Sequence, residues 1–124
     1  MSNNQKKRVL IVEDEADLAV VFANLLDVFG FTSQIVDNGA NAREIVNNEK
    51  FDLFIIDLTL PDISGIDLYR DIVSAYPAYK GQVIFTSGMN ISDDLNQIIK
   101  DDNTSFLAKP FSMDKLKKVL DKWL

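Results

Sequence analysis

Residues 53–65 read LFIIDLTLPDISG, and they give the strongest single indication of the architecture. The apolar run from Leu53 to Ile56 ends at a charged residue, Asp57, and a proline and a glycine follow. A short apolar run without alternation is typical of a strand that helices cover on both faces. In sheets of that kind, binding and reactive groups lie beyond the carboxyl ends of the strands. Asp57 is therefore a candidate functional residue.

The same succession of a short apolar run and a helical segment recurs along the chain. Apolar residues from Leu18 to Phe29 recur at spacings of three and four, and Gly30 then ends that helix. Ser112 is a suitable N-cap for the last helix. This alternation predicts a doubly wound α/β domain with a parallel sheet and right-handed crossovers. The predicted strands span 9–12, 32–36, 53–56, 83–85 and 105–107, and the apolar helix positions fall within 18–29, 42–46, 68–73, 95–99 and 116–124.

Length, composition and charge restrict the classes of function. The 124 residues are 47% apolar and contain no evident linker or repeat, so we expect one domain over residues 1–124, with 1–7 as an N-terminal tail. The net charge of −6 argues against binding of nucleic acid or an anionic membrane through this domain. Neither a signal peptide nor a membrane span is evident in the sequence, so we expect a cytoplasmic protein.

The chain has no cysteine and no histidine. Disulfides, thiolate or imidazole catalysis and most zinc sites are therefore excluded. Chemistry in this protein has to use carboxylates, hydroxyls, lysine or tyrosine.

Carboxylates follow two of the predicted strands. Glu13 and Asp14 end the first strand and Asp57 ends the third. Acids before a helix can simply favour its N-terminus, and this is the alternative interpretation of Glu13 and Asp14. Three clustered carboxylates repel each other unless a cation is present, and an all-oxygen site suits Mg²⁺ or Mn²⁺. A divalent metal site is the better explanation.

A phosphoryl-transfer chemistry fits these residues. An aspartate is ionised at neutral pH, so Asp57 can act as a nucleophile without a general base. Attack on a phosphoryl group brings anions together, and a metal and a lysine have to neutralise that charge. Lys109, at the end of the last strand, is placed for this role. Ser87 is the better candidate for a phosphate contact because Gly88 leaves room beside it, and Thr86 is the alternative register.

Four motifs resemble those of the receiver domain of two-component response regulators. They occur in the family's order and spacing over nearly the whole chain, from about Lys7 to Trp123. The resemblance implies a flavodoxin-like, five-stranded sheet of order 2-1-3-4-5 with five helices. The motifs are LIVEDE at 10–15, IIDLTLPDISG at 55–65, FTSG at 85–88 and FLAKPF at 106–111.

The resemblance also implies a metal site and a phosphoacceptor. Asp57 would be the phosphoacceptor. Glu13, Asp14, Asp57 and the backbone carbonyl of Thr59 would hold Mg²⁺, with Asp14 as the expected direct ligand and one acid of the pair often acting through water.

The remaining site roles follow from the same resemblance. Ser87 would be the hydroxyl that contacts the phosphoryl group, with Thr86 as the less favoured register. Lys109 would bind the phosphoryl oxygens, and its peptide bond to Pro110 would be cis. Phe106 would be the aromatic switch residue whose rotamer follows phosphorylation.

The implied function is that of a signalling switch rather than an enzyme. A histidine kinase or a histidine phosphotransfer protein would donate the phosphoryl group, and a downstream protein target would read the change. The architecture resembles that of single-domain chemotaxis regulators, although a longer protein with this domain at its N-terminus is the alternative.

Three other functions are alternatives for the same residues. A degenerate receiver would bind partners without phosphorylation. A haloacid-dehalogenase-type phosphatase needs a second aspartate two residues after the nucleophile, where this chain has Thr59. A flavodoxin-type FMN carrier needs neutral donors after the first strand, where Glu13, Asp14 and Glu15 would repel the phosphate.

Overall fold

The computed structural model of the chain describes residues 6–124 and confirms the predicted α/β architecture. Five parallel strands form one sheet in the order β2-β1-β3-β4-β5, as the resemblance implied. The strands are Arg8–Val12 (β1), Thr32–Val36 (β2), Leu53–Asp57 (β3), Val83–Ser87 (β4) and Ser105–Ala108 (β5). The helices are Ala16–Val28 (α1), Gly39–Asn48 (α2), Gly65–Ala75 (α3), Asp93–Asp102 (α4) and Met113–Leu120 (α5), with 3₁₀ turns at Pro77–Tyr79 and Asp121–Trp123.

Apolar side chains cover both faces of the sheet, as the continuous apolar strands predict. Val9 and Ile11 pack toward Phe22 of α1 and Leu116 of α5. Alternate residues of the same strands pack on the opposite face, with α2, α3 and α4. The strand ends therefore remain the natural place for polar groups.

The two predicted helix signals are confirmed. Gly30 has φ of 92° and follows α1, and the Phe31 N–H donates to the Leu26 carbonyl at 2.9 Å. Glycine adopts this left-handed conformation without a steric penalty, which is why the helix ends there. The Ser112 hydroxyl accepts from the Lys115 N–H at 3.2 Å and caps α5.

The end of the chain differs from the prediction. The periodicity suggests one helix through Leu124, but α5 ends at Leu120 and a 3₁₀ turn follows. Within this turn the buried Trp123 donates from Nε1 to Gln82 Oε1 at 2.8 Å. The tighter winding of a 3₁₀ turn changes the direction of its side chains relative to a continued helix.

The expected tail, residues 1–7, lies outside the described residues except for Lys6 and Lys7. The Lys7 carbonyl accepts from the Thr32 N–H at 3.0 Å, and Lys7 Nζ donates to the Trp123 carbonyl at 2.8 Å. Among residues 6–124, no helix is both long and apolar enough to cross a membrane.

Strand pairing continues up to the candidate site residues. Asp57 pairs with Thr86, and Ser87 pairs with Ala108 at the last positions of their ladders. The Lys109 N–H then donates to the Ser87 carbonyl at 2.8 Å. Backbone hydrogen bonds of the sheet thus fix the positions of these residues relative to one another.

Candidate functional site

Three carboxylates gather at the carboxyl edge of the sheet. Glu13 and Asp14 follow β1, Asp57 ends the neighbouring strand β3, and one oxygen of each lies within 4.8 Å of the others. Glu13 and Asp57 are buried, whereas Asp14 is exposed. Carboxylate oxygens are the ligands that Mg²⁺ prefers, so this cluster could hold a divalent cation.

Lys109 forms an ion pair with both buried carboxylates. Its Nζ lies 2.7 Å from Glu13 Oε1 and 3.2 Å from Asp57 Oδ2. The side chains of Glu13 and Asp57 are only 1% and 7% exposed. The lysine therefore offsets part of the repulsion between two acids that have little access to water.

The surroundings change the proton affinity of this pair. Burial raises the pKa of Glu13, and the hydrogen bond from Lys109 only partly opposes that effect. For Lys109, burial acts to lower the pKa, but the hydrogen bond to Glu13 and the charges of Asp57 and Glu13 outweigh it and raise the pKa. The lysine is thus held firmly in its charged form.

The second oxygen of Asp57 binds the backbone of the following loop. The Thr59 N–H donates to Asp57 Oδ1 at 3.0 Å. Thr59 also forms an isolated antiparallel bridge with Ser64 at the start of α3. The structure thus brings Thr59, whose carbonyl is a predicted metal ligand, next to the acidic cluster.

The two candidate hydroxyls differ in their hydrogen bonding. Ser87 Oγ accepts from the Met89 N–H at 2.9 Å, which leaves its own proton available to another acceptor. Thr86 Oγ1 is buried and has no hydrogen-bond partner among residues 6–124. A Cβ on Gly88 would meet no atom within 4 Å, so there is open space beside Ser87. The two hydroxyls point to opposite faces of β4, because successive side chains of a strand alternate.

The aromatic residues around Lys109 lie on different faces of the sheet. Phe106 is partly buried and packs against the apolar cluster that includes α4. Phe111 stacks on Phe22 of α1, with ring centroids 4.7 Å apart, and has a packing role. The Lys109–Pro110 peptide bond is cis, as the resemblance implied.

One residue of the site escaped the sequence reasoning. Gly65 begins α3, and a Cβ there would collide with the Asp57 carbonyl and lie 2.8 Å from Leu58 Cα. Glycine is required because the helix start approaches the backbone of the acidic strand end this closely. The available signal was a glycine directly after Ser64, the residue that caps this helix.

Comparison with known proteins agrees with this geometry. The response regulator receiver domain family matches residues 9–121. A CheY-like response regulator receiver domain from Methylobacillus flagellatus superposes with a TM-score of 0.81, at 29% identity over 95% of this chain and 98% of that one. The receiver domain of sensor histidine kinase PA1611 from Pseudomonas aeruginosa PAO1, solved with a magnesium ion coordinated in its active-site cleft, shares the fold at 23% identity and a TM-score of 0.81, over 96% of this chain and 98% of that one.

Curated relatives are longer than this chain. The 3′,5′-cyclic-nucleotide phosphodiesterase regA of Dictyostelium discoideum is 33% identical over 94% of this chain, which spans 15% of its length. The chain spans about half or less of the curated relatives it matches, for example 51% of the transcriptional regulatory protein DpiA of Escherichia coli, at 32% identity over 93% of this chain. The similarity therefore concerns one domain of those proteins.

Proposed function

Because this chain belongs to the response regulator receiver domain family, we propose that it is a phosphoacceptor switch in which Asp57 receives a phosphoryl group from a phosphohistidine. The observation that carries the proposal is the Lys109 ammonium held between Glu13 and Asp57, at 2.7 Å and 3.2 Å. The chain contains no histidine. The donor is therefore another protein, a histidine kinase or a histidine phosphotransfer protein, which we expect this domain to meet in the cytoplasm.

The proposed reaction uses the carboxylate of Asp57 as the nucleophile. An oxygen of its carboxylate attacks phosphorus, the bond from phosphorus to the donor's imidazole nitrogen breaks, and the electron pair stays on that nitrogen. Lys109 can then turn its remaining hydrogen-bonding capacity toward a phosphoryl oxygen while Glu13 keeps its bond to Nζ. The ammonium group thereby stabilises the negative charge first on the carboxylate and then on the phosphoryl group.

The acidic cluster fits a hard divalent cation. Bound by Asp14, Asp57, Glu13 and the Thr59 carbonyl, Mg²⁺ would neutralise the charge of the incoming phosphoryl oxygens. The magnesium ion of the PA1611 receiver domain supports this assignment by analogy.

The switch that follows involves Ser87 and Phe106. The free proton of Ser87 can be donated to the phosphoryl group, which draws the end of β4 toward Asp57. Phe106 lies beside Phe85 on the neighbouring strand and is only partly buried, so an inward turn of its ring would remove more apolar surface from water. The output is altered binding of a downstream protein target on the surface of α4, β5 and α5.

A phosphorylation assay tests the acceptor. We expect acetyl phosphate with Mg²⁺ to label the wild-type protein and to leave Asp57→Asn unlabelled. Asp94→Asn, an exposed acid on α4, is the control and should label like wild type. Label retained on Asp57→Asn would contradict the acceptor assignment, and absence of label on all three would favour a receiver that binds partners without phosphorylation.

A second assay tests the metal. Beryllofluoride with Mg²⁺ should shift the tryptophan fluorescence or the amide spectrum of the wild-type protein, and Asp14→Asn should weaken that response. Asp17→Asn removes an exposed carboxylate in the first turn of α1 and serves as the control. An equal response of all three proteins would remove Asp14 from the metal site.

A further inference from the structure

A groove runs along the outer edge of the sheet and adjoins the ion pair of Lys109 through Glu13. It has a volume of about 680 Å³ and lies between α1 and α2, where Ile35 and Val36 of the edge strand β2 line it. Val20 of α1 is 52% exposed and Ile35 of β2 is 37% exposed. Both are large aliphatic residues that line the groove on the α1 side, together with the small residues Ala16 and Ala19.

Within residues 6–124, the outer edge of β2 has backbone hydrogen-bonding groups without a partner. The Thr32 N–H and the Val36 carbonyl both bond across to the β1 side, to Lys7 and Glu13. In a parallel pair the N–H and the carbonyl of one residue point the same way, and successive residues alternate. The N–H and carbonyl groups of Ser33 and Ile35 therefore point away from β1 along the open edge of the sheet, and Ile35 lines the groove.

The charged residues that line the groove are all acidic. Asp37 and Glu44 line it, and neither has a salt bridge within the part of the chain that the structure describes, whereas Asp14, which also lines it, belongs to the candidate metal site. Glu13 and Glu49 also line it but pair with Lys109 and Arg8. None of the lining residues is a lysine or an arginine.

An unprotected edge strand is a common site for pairing with a strand of another chain. Natural sheets protect their edges with lysine, proline, bulges or covering segments, yet β2 reads TSQIV and carries none of these residues. A second copy of this chain is disfavoured, because each copy has a net charge of −6 and brings the same acids to the edge. The charge that complements the groove is positive.

We propose that the free edge of β2, between α1 and α2, binds an extended basic segment of a partner protein as a sixth strand of the sheet. Side chains of an added strand point alternately to the two faces. On one face they meet Val20 and Ile35, and on the other they meet Glu44. The bound segment therefore alternates aliphatic with basic residues.

A capped heptapeptide of alternating lysine and valine, with lysine at both ends, is a suitable probe. Titrated into the full chain, it should slow hydrogen exchange of the Ser33 and Ile35 amides and leave the exchange of Gln34, already bonded to β1, nearly unchanged. Asp37→Asn with Glu44→Gln should weaken binding roughly 2- to 30-fold, as expected for two exposed charge pairs. Asp94→Asn with Asp121→Asn removes the same charge elsewhere and should bind like wild type.

Two N-methylated peptides separate strand addition from simple charge attraction. Methylating one alternate set of peptide nitrogens removes the donors that face β2 and should abolish binding, whereas methylating the other set should be tolerated. Equal binding of the two methylated peptides, equal weakening by both double variants, or unchanged exchange of Ser33 and Ile35 would each overturn the proposal.

Discussion

Lys109 lies closer to Glu13 than to Asp57, with Nζ–oxygen distances of 2.7 Å and 3.2 Å. The residue that follows β1 is therefore the main anchor of the lysine, and the proposed phosphoacceptor is its second partner. This arrangement allows Lys109 to exchange its contact with Asp57 for one with a phosphoryl oxygen while its bond to Glu13 is kept.

Removing the lysine should destabilise the fold at neutral pH. Lys109→Met leaves two buried carboxylates facing each other without a cation, and we expect a loss of about 3 kcal/mol in the free energy of unfolding. Urea denaturation measures this loss. Lys80→Met breaks a longer pair between an exposed lysine and Asp102, which keeps its bond from Tyr69, and should cost less than about 1 kcal/mol.

A double variant tests the cause of that loss. Lys109→Met with Glu13→Gln removes one of the two facing charges and should recover part of the stability. Equal unfolding free energies for the single and double variants would show that lost packing of the lysine stem, rather than carboxylate repulsion, is responsible.

Gly65 should be essential for the position of Asp57. In Gly65→Ala the new methyl group collides with the backbone of residues 57 and 58, so we expect a cost of about 1–3 kcal/mol and slower phosphorylation. Thermal unfolding and the labelling rate report the two effects. Gly88→Ala is the matched control for stability, because a Cβ there meets nothing within 4 Å and should leave the unfolding temperature nearly unchanged.

Tyr69 ties α3 to the end of α4. Its hydroxyl donates to Asp102 Oδ2 at 2.7 Å, and its ring packs edge-on against Phe85. Burial, followed by the bond to Asp102, raises the pKa of Tyr69 above its usual value. Tyr69→Phe should cost about 1–2 kcal/mol at neutral pH, since Asp102 loses a donor.

The pH dependence of that cost has a definite sign. The folded state holds the phenol proton more tightly than the unfolded state, so the contribution of Tyr69 is complete below pH of about 10 and is lost as the pH rises further. The unfolding free energy of Tyr69→Phe should therefore approach that of wild type above this pH. A difference in unfolding free energy between the two proteins that stays constant up to pH 11 would rule out this linkage.

The two hydroxyls at the end of β4 should respond in opposite ways to their removal. Thr86→Val replaces a buried hydroxyl that has no partner among residues 6–124 by a methyl group, and it should raise the unfolding free energy by up to about 1 kcal/mol, with labelling of Asp57 unchanged. Ser87→Ala should instead weaken the response to phosphorylation. If Thr86→Val proves the more damaging change in the labelling assay, the alternative register is the right one.

Local patterns were sufficient to predict the architecture of this protein. The apolar runs that end in Asp57, Ser87 and Lys109 place polar groups at one sheet edge, whatever the details of packing, because parallel strands share their carboxyl edge. Gly30 and Ser112 marked helix ends for equally local reasons, a left-handed backbone and a side-chain cap. Such signals depend on a few consecutive residues and can be read directly from the chain.

The distances within the site depend on tertiary packing. Glu13 and Lys109 are 96 residues apart in sequence, and the preference of the lysine for Glu13 over Asp57 arises from strand order, register and burial. The need for glycine at position 65 arises from a close contact between separate elements, and the burial of the Thr86 hydroxyl likewise depends on packing. Sequence periodicity predicts which face of an element a side chain occupies. The difference of half an ångström between the distances from Lys109 Nζ to the two carboxylates follows only from how the elements pack together.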